Sequence, residues 1–378
     1  MNILLMCEDE VVMVINHEND FQIIREDLLP FYLKNRINHC KQNPGLFDET
    51  NNSLFTHWLA SRTLLLSRRH AKKLFQAYRL EQSDDELTRA KLSLMCRALS
   101  ILDNYWVKNE DDNIKWSQVN LRHVHLNEAV AQIALHGTSL SLEGSLSNTP
   151  EFLTNGSYAK CWKRRNDGLW LYKANDPNGN ESEVEVEVSN ILDRCNVEHC
   201  HYEAAEDEDL FVCACPTMTN DNISIVDGTT YTSFLNRQGI DVERQLAKEY
   251  PDQFYKMLVV DYLIANIDRH SQNWGMYFDP KTTNIIGMHP LFDHNNAFDI
   301  KAMKDEGYKS HFGNSKSLKE MALYAVKRTD FHFTKQLTKD LFISKEHYDC
   351  FMKRAEQLGI ELKPKITASD IISTVTKK

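Results

Sequence analysis

No run of about 18 apolar residues occurs in this 378-residue sequence, so no membrane-spanning helix is expected. The opening MNILLMCEDEVVMVI is too short for a span, carries no basic leader region and is interrupted by acids; it is expected to form a first strand. No Cys-x-x-Cys pair occurs among the nine cysteines, whose number is odd and whose positions are scattered. That pattern argues against a disulfide framework or a zinc ribbon and fits a reducing, cytoplasmic compartment. A surplus of positive charge is also missing. Lys and Arg number 44 against 54 Asp and Glu, for a formal net charge of -10, so direct nucleic-acid binding is not expected. The one basic cluster, Arg62 to Lys73 (RTLLLSRRHAKK), has helical spacing and is read as a solvated helix face. Internal repeats and low-complexity tracts are absent too.

What is present divides the chain into three stretches. The apolar spacing predicts helices at Leu54 to Leu65, Arg68 to Leu80, Asp84 to Asp103 and Asn127 to Leu135. Tyr105, Trp106 and Trp116 are expected in the core. GTSLSLEGSLSNTPEFLTNG, from Gly137, has loop composition and places a boundary near residue 145. A β-hairpin is predicted next, Tyr158 to Trp162 and Leu169 to Ala174, turning at Asn166-Asp167-Gly168. SEVEVEVSNILDRC alternates like a strand, yet Ser182 suits a helix N-cap and the early acids suit a helix start, so a helix is expected. Strands follow at His201 to Glu203 and Leu210 to Ala214, with Cys213 and Cys215 read as alternate faces of one strand. From Asp241 the chain reads as largely helical, with a buried helix at Gln253 to Ile267 and late helices at Asn314 to Lys327 and Lys345 to Leu358. The tail from Lys363 is expected to be peripheral. The fold class is α+β: a kinase-like bilobal arrangement, residues 146–235 a small β lobe with one helix and 236–378 a helical lobe, preceded by an α-rich region at 1–145.

The informative chemistry lies in LIANIDRHSQNWGMYFDPKTTNIIGMHPLFDHNNAFD, Leu263 to Asp299. A hydrophobic helix ends near Asp268, Asn273 follows five residues later, and Asp293 follows PLF after a second apolar run. This is phosphotransferase spacing. An attacking hydroxyl needs a carboxylate to orient it and accept its proton, the role read for Asp268. Magnesium is a hard ion and needs oxygen ligands, which Asn273 and Asp293 supply. Upstream, Lys173 in LWLYKA could hold phosphate oxygens, with Glu183, Glu185 or Glu187 as partner and Glu185 the first choice. Gly156, in TNGSYAK, could let backbone amides approach phosphates.

TNGSYAKCW, LYKA, EVEVSNIL, ANIDRHSQNWG and PLFDHNNAF together resemble the HipA-like kinase family of bacterial toxin–antitoxin systems. The resemblance covers residues 150–300 and extends more weakly over HWLASR, LSRR and LDNYW. It implies an ATP- and Mg2+-dependent Ser/Thr protein kinase with Asp268 catalytic, Asn273 and Asp293 on the metal, and Lys173 on ATP phosphates paired to Glu185. It further implies an adenine-contacting segment, Phe211 to Pro216, with Cys213 and Cys215. Some relatives switch themselves off by phosphorylating a loop serine, for which Ser157 is the counterpart. A protein substrate and an antitoxin partner are implied as well.

Simpler readings compete. His123 with His125, and His199 with His201, are read as structural histidines. A pseudokinase scaffold would keep the fold without chemistry, and a small-molecule phosphotransferase would share the Asp/Asn/Asp logic. Retention of Lys173, Asp268, Asn273 and Asp293 together speaks for the active enzyme.

Overall fold

A computed structural model describes residues 2–16, 20–42 and 47–364. The expected peripheral tail lies, from residue 365 onward, outside the described residues. The chain divides into two compact units: Met1–Gly179, Ala205–Ile240 and Gly275–His289 form the first, and Asn180–Ala204, Asp241–Trp274 and Pro290–Lys378 the second.

The first unit begins with β1 (Ile3–Cys7), β2 (Glu10–Ile15) and β3 (Phe21–Ile23). Helices α1 (Phe31–Gln42), α2 (Phe47–Ser61), α3 (Ala71–Ala77) and α4 (Glu86–Met95) follow, then β4 (Tyr105–Asn109) and α5 (Glu128–His136). The sheet order is β3-β2-β1-β4, so the leading region carries a four-stranded antiparallel sheet beside its helices. Tyr105 and Trp106, expected as core, are buried on β4. The long helix expected to reach Asp103 stops at Met95, where Arg97 and Ala98 take positive φ. Helix α5 is bounded as its sequence dictates. Asn127 accepts from the Val130 amide at the N-cap, and Gly137, at φ 67, returns its N–H to Ile133 O.

The predicted hairpin is β5 (Lys160–Arg165) and β6 (Gly168–Ala174). Arg165 pairs with Gly168, leaving Asn166 and Asp167 as the two-residue turn. With β7 (Glu203–Asp207) and β8 (Leu210–Pro216) these strands form a sheet of order β5-β6-β8-β7. Cys213 and Cys215 are two residues apart on β8 and therefore share a face, which corrects the alternate-face reading; both are buried. One hydrophobic core joins Leu74, Phe75, Val130 and Ile133 to Phe152, Cys161 and Val212, so it runs across residue 145. A third sheet, order β11-β10-β9, is built from β9 (Ser224–Asp227), β10 (Gly275–Phe278) and β11 (Ile285–Met288); α7 (Gly228–Asn236) follows β9.

The second unit contains α6 (Glu181–Leu192), the helix expected from SEVEVEVSNIL. Val184, Val188 and Ile191 are buried at helical spacing, which outweighs the local alternation. Its N-cap is Asn180 rather than Ser182, and Asn180 makes no side-chain cap bond. Helix α9 (Pro251–Leu263) starts with Pro at its first turn and is buried continuously from Met257 to Leu263. Helices α8 (Val242–Glu249), α11 (Leu318–Ala325) and α12 (Lys345–Gln357) pack around it, and the short α10 (Ile300–Lys304) follows the loop that carries Asp293.

Candidate active site

The Asp268 loop is built outward from a buried ion pair. Asp261, on α9, faces Arg269; both are about 2% exposed. Arg269 Nε lies 3.1 and 3.2 Å from the two carboxylate oxygens of Asp261, and Nη2 lies 2.9 Å from Oδ1. Arg269 Nη1 then donates to the carbonyls of Asn273 at 2.6 Å and Phe292 at 3.0 Å. One guanidinium thus ties together the segments that precede and carry the two expected metal ligands. The sequence motif contains Arg269 without giving it catalytic work and does not include Asp261. The available signal was an acid inside an otherwise apolar helix.

Around Asp268 the hydrogen bonds converge. Asn266 accepts from the Asp268 amide at 3.1 Å and donates to Asp261 Oδ1 at 2.8 Å. Asn273 Nδ2 donates to Asp268 O at 2.7 Å, which turns its Oδ1 acceptor the other way. Asn296 Nδ2 donates to Asp268 Oδ2 at 2.8 Å. Asn296 was quoted within PLFDHNNAF but assigned nothing; the structure makes it the side chain that orients the expected catalytic carboxylate. The Asp268 side chain keeps 34% exposure, so a hydroxyl can reach it, and His270 Nε2 stands 3.7 Å from Oδ1.

Asp293 adopts φ 58, a left-handed conformation that aspartate tolerates better than most residues. The next amide, His294 N–H, donates to Glu185 Oε2 at 2.5 Å. Glu185 is fully buried and thereby fixes α6 to the loop carrying Asp293. The sequence left three glutamates as candidates. Glu187 is also buried, but it holds His347 Nδ1 at 2.9 Å and the Ile343 amide at 3.1 Å, away from Asp293 in its bonding. Asp268, Asn273, Asp293 and Glu185 therefore come together in the second unit. Asn273 and Asp293 carry hard oxygen atoms of the kind magnesium takes as ligands.

The remaining expected residues lie in the first unit. Lys173 is buried on β6 and pairs with Cys213 in the ladder. Gly156 sits at φ 105, where a side chain would strain the backbone and meet Lys160 Nζ. Ser157 is exposed, and its carbonyl accepts from the Arg69 amide at 2.8 Å. Arg68 donates to the carbonyls of Glu151 at 2.7 Å and Thr154 at 3.0 Å, and also to that of Lys160. The Arg62 to Lys73 cluster is therefore not a solvated helix face. Arg62 pairs with Asp103 at 2.8 Å, Arg68 is buried, and α3 begins only at Ala71. Burial pushes the Glu151 carboxyl up to about 7 and the neighbouring Arg68 guanidinium down to about 10.

No family model and no curated protein matches the chain. Solved structures do. The Shewanella oneidensis MR-1 toxin–antitoxin protein HipA, in a complex with HipB and its operator DNA, aligns over 99% of this chain and 94% of its own at TM-score 0.50 and 9% identity. The Helicobacter pylori proinflammatory kinase CtkA aligns over 54% of this chain and 88% of its own, at TM-score 0.41 and 16% identity. The architecture is that of a kinase-like α+β protein. More narrowly, it is a HipA-like kinase fold. Among the described residues no helix is long and apolar enough to cross a membrane.

Proposed function

We propose that the chain is an ATP-dependent serine/threonine protein kinase of HipA-like type. The observation that carries this reading is the Asp268 loop: a carboxylate oriented by Asn296, with Asn273 and Asp293 locked by Arg269 and by Glu185 through His294 N–H. Phosphoryl transfer is mostly positioning and charge stabilisation, and a loop clamped by a buried ion pair supplies the positioning. Asp268 orients the attacking hydroxyl of a protein substrate and accepts its proton. Asn273 and Asp293 would hold Mg2+, which would supply charge neutralisation for the transferring phosphoryl group. Lys173 holds phosphate oxygens, Gly156 admits backbone amides to them, and Cys213 and Cys215 belong to the adenine-contacting strand. Ser157, exposed beside Gly156, is a self-phosphorylation site, and an antitoxin partner is part of the same reading.

Incubation with radiolabelled ATP and Mg2+ tests it. Wild type labels itself or a protein in a bacterial lysate, with Ser157 found modified by mass spectrometry. Asp268→Asn, which preserves shape, lowers the rate at least about a hundredfold. Absence of transfer from wild type to any protein would refute the kinase reading.

A further inference from the structure

Outside the Asp268 loop, the second unit assembles another cluster. Among the described residues Asp193, His199 and His201 bring three ligand atoms within 4.8 Å of one another. They line a pocket of about 390 Å³ together with Cys195, Glu198 and Pro290. Asp193 is the C-cap of α6, and the two histidines lie on the segment leaving that helix.

The hydrogen bonding makes this an unusual place for two structural histidines. His199 Nδ1 lies 3.2 Å from Val197 O. A carbonyl only accepts, so Nδ1 carries the proton and, in the neutral ring, Nε2 carries a lone pair. That Nε2 is buried, makes no hydrogen bond, and faces Asp193 Oδ1 at 3.4 Å. His201 Nδ1 approaches the same oxygen at 2.9 Å, and the two imidazoles lie with centroids 4.5 Å apart. A lone pair directed at a carboxylate oxygen is repulsive unless a proton or a metal ion lies between them. The Nδ1–H to carbonyl bond is also how a ligating histidine is ordinarily oriented from behind. Two ligands about 2.0 Å from a tetrahedral ion stand roughly 3.3 Å apart, which the His199 to Asp193 separation already matches.

We propose that Asp193, His199 and His201 bind a divalent transition-metal ion of the zinc class. Two imidazoles and one carboxylate select zinc-like ions over magnesium or calcium. His201 keeps 70% side-chain exposure and Asp193 39%, so the fourth position opens to the pocket and takes water. The ion joins the end of α6 to the segment that follows it. Because α6 also carries Glu185, metal occupancy restrains the helix whose carboxylate holds the Asp293 loop. The proposal stands whether or not the chain is a kinase.

The test is equilibrium dialysis of the chelator-stripped full chain against Zn2+, with Co2+ absorption as a second probe. Wild type takes up about one equivalent, with a visible Co2+ spectrum of nitrogen and oxygen ligands. His201→Ala, at an exposed position, and Asp193→Asn both weaken uptake at least about tenfold, while retaining the wild-type circular dichroism. Asp293→Ala binds Zn2+ as wild type does, which separates this site from the Asp268 loop. Absence of uptake by wild type, uptake unchanged in both variants, or a Co2+–thiolate band from the cysteines in place of the expected spectrum would overturn it.

Discussion

Arg269 shows how one buried cation can organise a loop that contains no regular structure. Its charge is matched by Asp261, and its remaining donors bind the carbonyls of Asn273 and Phe292. Removing one member strands the other. Arg269→Leu should destabilise by about 3–5 kcal/mol in urea unfolding, and Asp261→Leu by a similar amount. Their combination should cost less than the sum, since both charges are then gone; strict additivity would show that the pair is not coupled. Glu151 belongs to the same scale. Its folded pKa, about 7, lies above the ordinary value of 4.5. The folded state therefore holds a proton that the unfolded chain releases, and stability falls as pH rises from about 4.5 to about 7. Glu151→Gln should flatten that segment of a melting-temperature profile and stabilise the protein above pH 7 by up to about 3 kcal/mol. An unchanged profile would show that Glu151 is not the titrating group. Beyond the acid inside an apolar helix, none of this was legible in the sequence. A sequence lists acids and arginines but does not say which are buried together.

At the scale of elements, much was legible because periodicity records burial. The β5–β6 hairpin, α6 and α12 stand close to their expected positions, whereas α9, expected to reach Ile267, ends at Leu263. The four-residue β9 was invisible, being too short to show a period. The stretch from Arg62 to Arg69 was misread because alternating charge and apolarity fit a helix face as well as they fit a turn whose arginines point inward. Gly156 was singled out on composition alone, and its φ of 105 now supplies the reason. Gly156→Ala should strain the turn and displace Lys160, weakening nucleotide binding several-fold with little change in melting temperature, because the loop is exposed. Titration of the purified variant with ATP checks this, and wild-type affinity would remove Gly156 from the proposed site. The Asp268, Asn273 and Asp293 spacing carries the proposed chemistry, because phosphoryl transfer restricts which residue types can serve. Asp261 and Asn296 went unread because supporting roles leave no spacing rule.

At the scale of the whole molecule, the chain passes between its two units five times, after residues 179, 204, 240, 274 and 289. Neither unit is a continuous stretch, so a cut in the sequence is not a cut in the fold. A fragment ending at residue 240 keeps β9 but loses β10, whose Met276 pairs with Val226. It should aggregate or unfold at lower temperature than the full chain. A fragment as cooperative as the full chain would contradict the division. Likeness to HipA establishes the architecture and leaves the chemistry to the Asp268 loop. The most direct measurement is therefore calorimetric titration of the full chain with a non-hydrolysable ATP analogue, with and without Mg2+. Binding in wild type that depends on Mg2+ and is lost in Asp293→Ala is the predicted result. No binding by wild type, or binding indifferent to both Mg2+ and Asp293, would contradict the account.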